Sequence, residues 1–251
     1  MSQQLPLPLR LDPELSFERY LRGPNHESVE HLMASARGEG FPLIFLHAAP
    51  GLGKSHLLQA SALESARCGH SVIVLDLTNQ AGMEPSSLEG LGQLDLVCLD
   101  GLETVCGDPG WELALFRLFQ TLEESRRHLI MASRLPPDRL NIQLADLCSR
   151  FQSALILRLR ALSEDETLLA FSQRAENLGL EIRPEVGRYL MRHVQRDLNS
   201  LVRLLDQLES ASLAAHRRLT IPFVRAWLEN RPATGREDSK SQDPIKTQNP
   251  L

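Results

Sequence analysis

Five short apolar runs alternate with helical patterns along the chain, and this alternation narrows the choice of fold more than any other feature. The runs are Phe41–Leu46, Ser71–Leu77, Leu94–Leu99, His128–Ser133 and Ala154–Leu159. They are continuous or nearly so, as strands buried on both faces are. Helical patterns run from Asn25 to about Ala36, from Leu57 to about Arg67 and over Trp111–Ser125; Leu140–Arg150 reads as helical or irregular, and Gln80–Leu91 as a polar connection with a short helical piece. Strands alternating with helices predict an α/β fold, a parallel doubly wound sheet with helices on both faces.

After Leu162 the strand signal fades. Ser163 with Glu164, Asp165 and Glu166 opens a helix to about Asn177, with Gly179 placed to end it. Helices follow from Pro184 to Val194, Asp197 to His216 and Pro222 to Leu228, and Leu198, Leu201, Leu204, Leu205 and Leu208 form a core stripe. The chain thus divides into a flexible peptide at 1–13, an αβα domain at 14–161, a small all-helical lobe at 162–231 and a polar, Pro-rich tail at 232–251 expected to be disordered.

The nucleotide assignment rests on one junction. Ala49–Pro50–Gly51–Leu52–Gly53–Lys54–Ser55–His56 lies where the first strand turns into a helix. There, converging backbone N–H groups and the positive helix end favour phosphate. Lys54 is expected to reach the β/γ-phosphates and Ser55 to hold Mg²⁺. Ala48 stands where the usual pattern has its first glycine. The competing reading is an ordinary Gly-rich turn.

Composition adds boundaries. The 251 residues are 42% apolar, enough for one sizeable core or a large lobe with a small one, and the net charge of −5 argues against a broad basic face for nucleic acid. Cys68, Cys98, Cys106 and Cys148 lack metal-site spacing and read as reduced, mostly buried thiols. No apolar stretch is long enough to span a bilayer and no secretory leader is recognisable, so a cytoplasmic protein without membrane contact is expected.

Other positions carry chemistry. Asp100 ends a strand at the edge where ligands sit in such sheets, where a carboxylate can hold Mg²⁺; the alternative is a turn or capping Asp. Gly101 follows it, with Glu103 two residues further as a candidate second acid. Arg150 reads either as an arginine facing a neighbouring subunit or as a surface salt bridge. Gln4–Leu5–Pro6–Leu7–Pro8–Leu9 suits an extended peptide entering apolar pockets, or an arm packed on its own domain.

Together these residues resemble the Hda family, short homologues of the bacterial replication initiator DnaA in the AAA+ class. The resemblance covers about residues 4 to 229. Ser16–Phe17 with Gly23–Pro24–Asn25 resembles the opening of the AAA+ module, Gly51–Leu58 the Walker-A run, Leu96–Asp100 the Walker-B strand and Ser149–Arg150–Phe151 the arginine-finger segment. Arg196 before Asp197–Leu198 is similar to the sensor-2 arginine, Leu219–Val224 to the closing helix and Gln4–Leu9 to the clamp-binding hexapeptide.

The resemblance implies a negative regulator of replication initiation. It would dock on the DNA polymerase sliding clamp through Gln4, Leu5, Leu7, Pro8 and Leu9 and stimulate hydrolysis of the ATP bound to DnaA, giving inactive ADP-DnaA. Arg150 would act in trans on DnaA. ADP, or ATP, with Mg²⁺ would sit against Pro50, Gly51, Leu52, Gly53, Lys54, Ser55, His56, Asp100 and Arg196, the metal on Ser55 and Asp100. Self-association as a homodimer or higher is expected, and contact with DNA only through the clamp. Two departures weaken intrinsic hydrolysis: Gly101 where DnaA has a second acid, and Arg134 after the fourth strand where relatives often carry Asp. An autonomous AAA+ ATPase, such as a helicase loader or remodelling factor, explains Lys54, Ser55, Asp100 and Arg196 equally well. A DNA-binding initiator fits poorly, His216, Arg217 and Arg218 being the densest basic cluster.

Overall fold

The computed structural model describes residues 12–79, 83–180, 182–193, 204, 205, 207, 208 and 220–229. Strands β1 (Leu43–His47), β2 (Val72–Asp76), β3 (Leu96–Asp100), β4 (His128–Ser133) and β5 (Leu155–Arg158) pair in parallel in the order β2-β3-β4-β1-β5. Helices α1 (His26–Ala36) and α2 (Lys54–Arg67) supply the core on one face of the sheet, and α3 (Pro109–Glu124) and α4 (Ala145–Ser153) the core on the other.

Side-chain alternation explains the continuous apolar runs. Ile44, Leu46, Leu96, Cys98, Ile130 and Ala132 pack with Val29, Leu32, Leu57 and Leu58 of α1 and α2. Their neighbours Phe45, Val97, Leu99, Leu129 and Met131 pack with Trp111, Leu115, Leu118, Phe119 and Phe151 of α3 and α4. Each fully buried Leu, Ile or Phe contributes about 1.5–3 kcal/mol, so a polar residue on either register would be costly. Edge strand β5 departs from the pattern, with Ile156 44% exposed.

Local signals set two helix starts. Asp108 accepts from the amides of Gly110 at 2.8 Å and Trp111 at 3.0 Å, with Pro109 in the first turn, so α3 begins before the Trp111 that periodicity suggests. The ambiguous stretch 140–150 resolves into an irregular lead and then α4, whose cap position, Leu144, makes no side-chain bond.

The helical region contains α5 (Glu164–Asn177), α6 (Pro184–His193) and α7 (Ile221–Glu229). Ser163 and Glu166 cap α5 reciprocally, the Ser163 amide donating at 2.7 Å and the Glu166 amide at 3.2 Å. Phe171, Ala175, Val186, Leu190, Leu204, Leu205, Leu208 and Val224 form a separate core. It meets the sheet domain where Leu21, Leu162 and Ala170 pack and where Arg174 donates to the Glu18 carbonyl at 3.0 Å.

Among the cysteines Cys98 is buried, Cys106 and Cys148 are half-buried and Cys68 is exposed, a correction to the expectation of mostly buried thiols. Burial pushes the Cys106 thiol up to about 12 and that of Cys98 higher still. Among the described residues no helix is long and apolar enough to cross a membrane. Residues 4–9, Arg196, the cluster 216–218 and the tail 232–251 lie outside the described residues.

Candidate nucleotide site

The loop at 48–53 springs from β1, the inner strand between β4 and β5. Its first amide, of Ala48, still reaches the Ser133 carbonyl of β4 at 3.2 Å. Gly53, at φ 85°, turns the chain into α2, and a Cβ there would stand 2.7 Å from the Tyr20 ring. Tyr20 secures the loop from outside, its hydroxyl donating to the Leu52 carbonyl at 3.2 Å. Burial raises that phenol to about 12, so it stays a donor at neutral pH.

Lys54, the first residue of α2, folds back so that Nζ donates to the carbonyls of Ala48 at 2.7 Å and Ala49 at 3.2 Å. Burial lowers its proton affinity, opposed by the charges of Asp100 and Glu103. Ser55 Oγ donates to Asp100 Oδ2. Asp100 is raised above the usual carboxylate range, chiefly by burial and further by Asp76, its register partner on β2; the Ser55 bond and Lys54 act against this.

These features fit a phosphate group with a divalent cation. A helix begins at the loop with its first-turn amides unpaired within the helix, the positive end of its dipole and a lysine beside them. A Cβ on Gly51 would meet nothing within 4 Å, so that side of the loop is clear. Asp100, disfavoured as an anion and bonded to Ser55, presents the hard oxygen donors that Mg²⁺ selects. A cleft of about 760 Å³ lies next to Tyr20, between residues 17–26 and α5, lined by Leu21, Pro24, Leu169 and Arg174 among others.

Gly101 has a structural cause. Its amide donates to the Ala132 carbonyl at 3.0 Å, its φ is 76°, and a Cβ would lie 2.4 Å from Thr78 Cγ2. Thr78 is held by Asp76 Oδ1 through its amide at 2.9 Å and its hydroxyl at 2.5 Å. An acid at position 101 therefore meets both backbone strain and a fixed neighbour. Glu103 is engaged elsewhere: Oε2 accepts from the Arg134 amide and Oε1 pairs with Arg134 Nε, both at 3.1 Å.

The structure thus brings Lys54, Ser55 and Asp100 together, with Gly51 and Gly53 shaping the turn. Pro50 is exposed, and Leu52 packs partly against the α1/α2 core. The His56 side chain is committed elsewhere, its Nε2 lying 2.8 Å from the Ser16 carbonyl and its ring edge-on to Tyr20. Arg150 is not part of the cluster. It pairs with Glu123 and lies over the Phe119 ring, 5.2 Å from the centroid. Glu123 lies in the last turn of α3, shortly before β4 begins, whereas the loop follows the end of β1. The six residues of β4, at about 3.3 Å each, separate these edges by about 20 Å. Sequence reasoning missed Tyr20, which no local pattern links to a loop so distant in the chain. It noted Arg134 and Glu103 separately, without the contact between them.

Comparison with known proteins agrees with this architecture. The family model of the bacterial DnaA ATPase domain matches residues 11–158, and that of the Hda lid domain matches 164–228. Replication initiator DnaA bound to AMPPCP and single-stranded DNA aligns with a TM-score of 0.62 at 23% identity, over 81% of this chain and 66% of that one. AMPPCP-bound DnaA from Aquifex aeolicus aligns with 0.63 at 23%, over 78% and 66%. Domain III of Thermotoga maritima DnaA aligns with 0.63 at 21%, over 88% and 98%. At these identities the likeness is one of fold, and this chain spans just under two thirds of the length of the first two.

Proposed function

The chain belongs to the Hda family of DnaA-related AAA+ proteins, and from that premise we propose that it is a negative regulator of replication initiation. In this reading Gln4, Leu5, Leu7, Pro8 and Leu9 dock on the polymerase sliding clamp, and Arg150 reaches the ATP held by DnaA. ADP or ATP with Mg²⁺ at 48–55, with Asp100 and Arg196, sets this chain's own conformation. Self-association belongs to the same reading.

The observation that carries it is the position of Arg150, at the opposite end of the strands from Lys54, which keeps it from this chain's own loop and suits a nucleotide held by another subunit. Its present partner, Glu123, is 57% exposed in its side chain. Pairs of that kind contribute about 0–1 kcal/mol, so the guanidinium exchanges readily for a phosphate. An arginine supplied in trans contributes roughly 10³–10⁵ in rate. The test is reconstitution with DnaA, ATP and clamp loaded on DNA. Hydrolysis should depend on both this protein and the clamp, and Arg150→Ala should abolish it while leaving ADP and clamp binding intact. Stimulation surviving that change would remove the assignment. The assembled Lys54, Ser55 and Asp100 also favour a second reading, an autonomous ATPase, which predicts ATP turnover by the isolated protein that Lys54→Ala eliminates.

A further inference from the structure

We infer that Arg134 and Glu103 form a brake on hydrolysis, in which Arg134 is a positioning residue that keeps Glu103 from serving as the base for an attacking water. The inference rests on reading the loop at 48–55 as the seat of a nucleotide. Arg134 follows β4, the strand between β1 with its loop and β3 with Asp100. It is one residue past Ser133, whose carbonyl takes the Ala48 amide. Glu103 is two residues past Gly101, whose amide is tied to the Ala132 carbonyl of β4. Both residues therefore sit at the end of the sheet from which the loop springs.

The geometry of the pair is what disables the acid. Hydrolysis forms a bond from a water oxygen to the γ-phosphorus and breaks that phosphorus's bond to the bridging oxygen, whose electron pair leaves on ADP. The proton released by the water needs an acceptor, and a positioned carboxylate fills that role. Both Glu103 oxygens are turned to residue 134, one to its amide and one to its Nε, and the Glu103 side chain is only 16% exposed. Position 101 cannot supply the acid instead, because Thr78 and a left-handed backbone oppose any side chain there. The chain therefore holds a carboxylate at the loop's end of the sheet and commits both of its oxygens to residue 134. Removing the guanidinium frees Oε1, while the Arg134 amide, present in any variant, keeps Oε2 in place.

The experiment compares the parent chain with Arg134→Ala, Glu103→Gln and the double variant. Single-turnover ATP hydrolysis is measured with fluorescent ADP affinity and thermal melting. Arg134→Ala should raise hydrolysis at least about tenfold, a fraction of the roughly 10²–10⁴ that a fully positioned base contributes. Glu103→Gln should leave the parent rate unchanged, and the double variant should return to it. A merely loosened loop would stay fast in the double variant, which would overturn the proposal. A slower Arg134→Ala enzyme would also overturn it, marking Arg134 as a cation serving the phosphates directly, and a slower Glu103→Gln enzyme would show Glu103 already acting as base. If the parent binds ADP no better than Lys54→Ala does, the nucleotide reading falls and this inference with it. If ADP binds and Arg134→Ala hydrolyses no faster, the brake alone falls.

Discussion

Replacing Glu112 by Ala should unsettle the approach to α4 more than any other single change on that face. Glu112 is 1% exposed, yet its carboxylate is fully employed. Oε1 accepts from the amides of Gly107 at 2.8 Å and Gln143 at 3.0 Å, and Oε2 from those of Gln143 at 3.0 Å and Leu144 at 2.8 Å. Alanine leaves three amides without their acceptor. An unmet buried donor costs about 1–3 kcal/mol, and water entering the space recovers part of that, so the expected loss is about 4 kcal/mol. In a domain of this size 1 kcal/mol shifts Tm by about 2–4 °C, so melting should fall by roughly 8–16 °C. Glu112→Gln, which keeps one carbonyl acceptor but points an NH₂ at an amide, should lose about half as much. Circular dichroism melting checks both. An alanine variant melting within about 3 °C of the parent would refute the argument that these bonds hold the segment. Because Gln143 and Leu144 lead directly into α4, which carries Arg150, the proposed function predicts that the glutamine variant stimulates DnaA less while binding ADP normally.

Gly53→Ala combines a left-handed backbone with a 2.7 Å approach to Tyr20, and should weaken ADP binding at least tenfold by fluorescence titration; at about 1–2 kcal/mol for the conformation alone, unchanged affinity would refute the role of this turn. Asp100→Asn removes an anion that burial and Asp76 disfavour, so without nucleotide it should melt no lower than the parent, yet lose the extra stabilisation that Mg²⁺ gives with ADP. Burial holds His128 and His47 below their usual 6.5, which means the unfolded chain binds more protons in acid. Their contribution is complete above pH 6.5 and is lost as pH falls through and below it. The urea midpoint should therefore drop between pH 7.5 and 5.5, and His128→Gln should shrink that drop.

The sheet was readable because both of its faces are covered, which writes each inner strand as an unbroken apolar run. Edge strand β5 also reads as a run, although Ile156 faces outward. Lys54 and Ser55 are local in sequence, but their meeting with Asp100 depends on strand order, which alternation alone implies only in outline. The start of α4 was not readable because Leu144 offers no capping side chain. Gly101 looked like the loss of an acid, and Thr78, which explains it, belongs to a different loop. The departures at 101 and 134 appeared independent in the sequence, and only the fold joins Arg134 to Glu103. Charged pairs between loops obey no periodicity, so nothing in the chain's spacing announces them.

The stretch from Ser16 to Tyr20 has a mechanical consequence. It is fastened to α2 where the Ser16 carbonyl meets His56, to α5 where the Glu18 carbonyl takes Arg174, and to the loop where Tyr20 grips Leu52. Three fastenings within five residues make it a short strap, with the next anchorage never more than two residues away. The loop cannot widen without pulling on Tyr20, and α5 cannot swing outward without pulling on Glu18. A tug arriving from the amino-terminal end is passed through these fastenings to α2, α5 and the loop before it reaches α1.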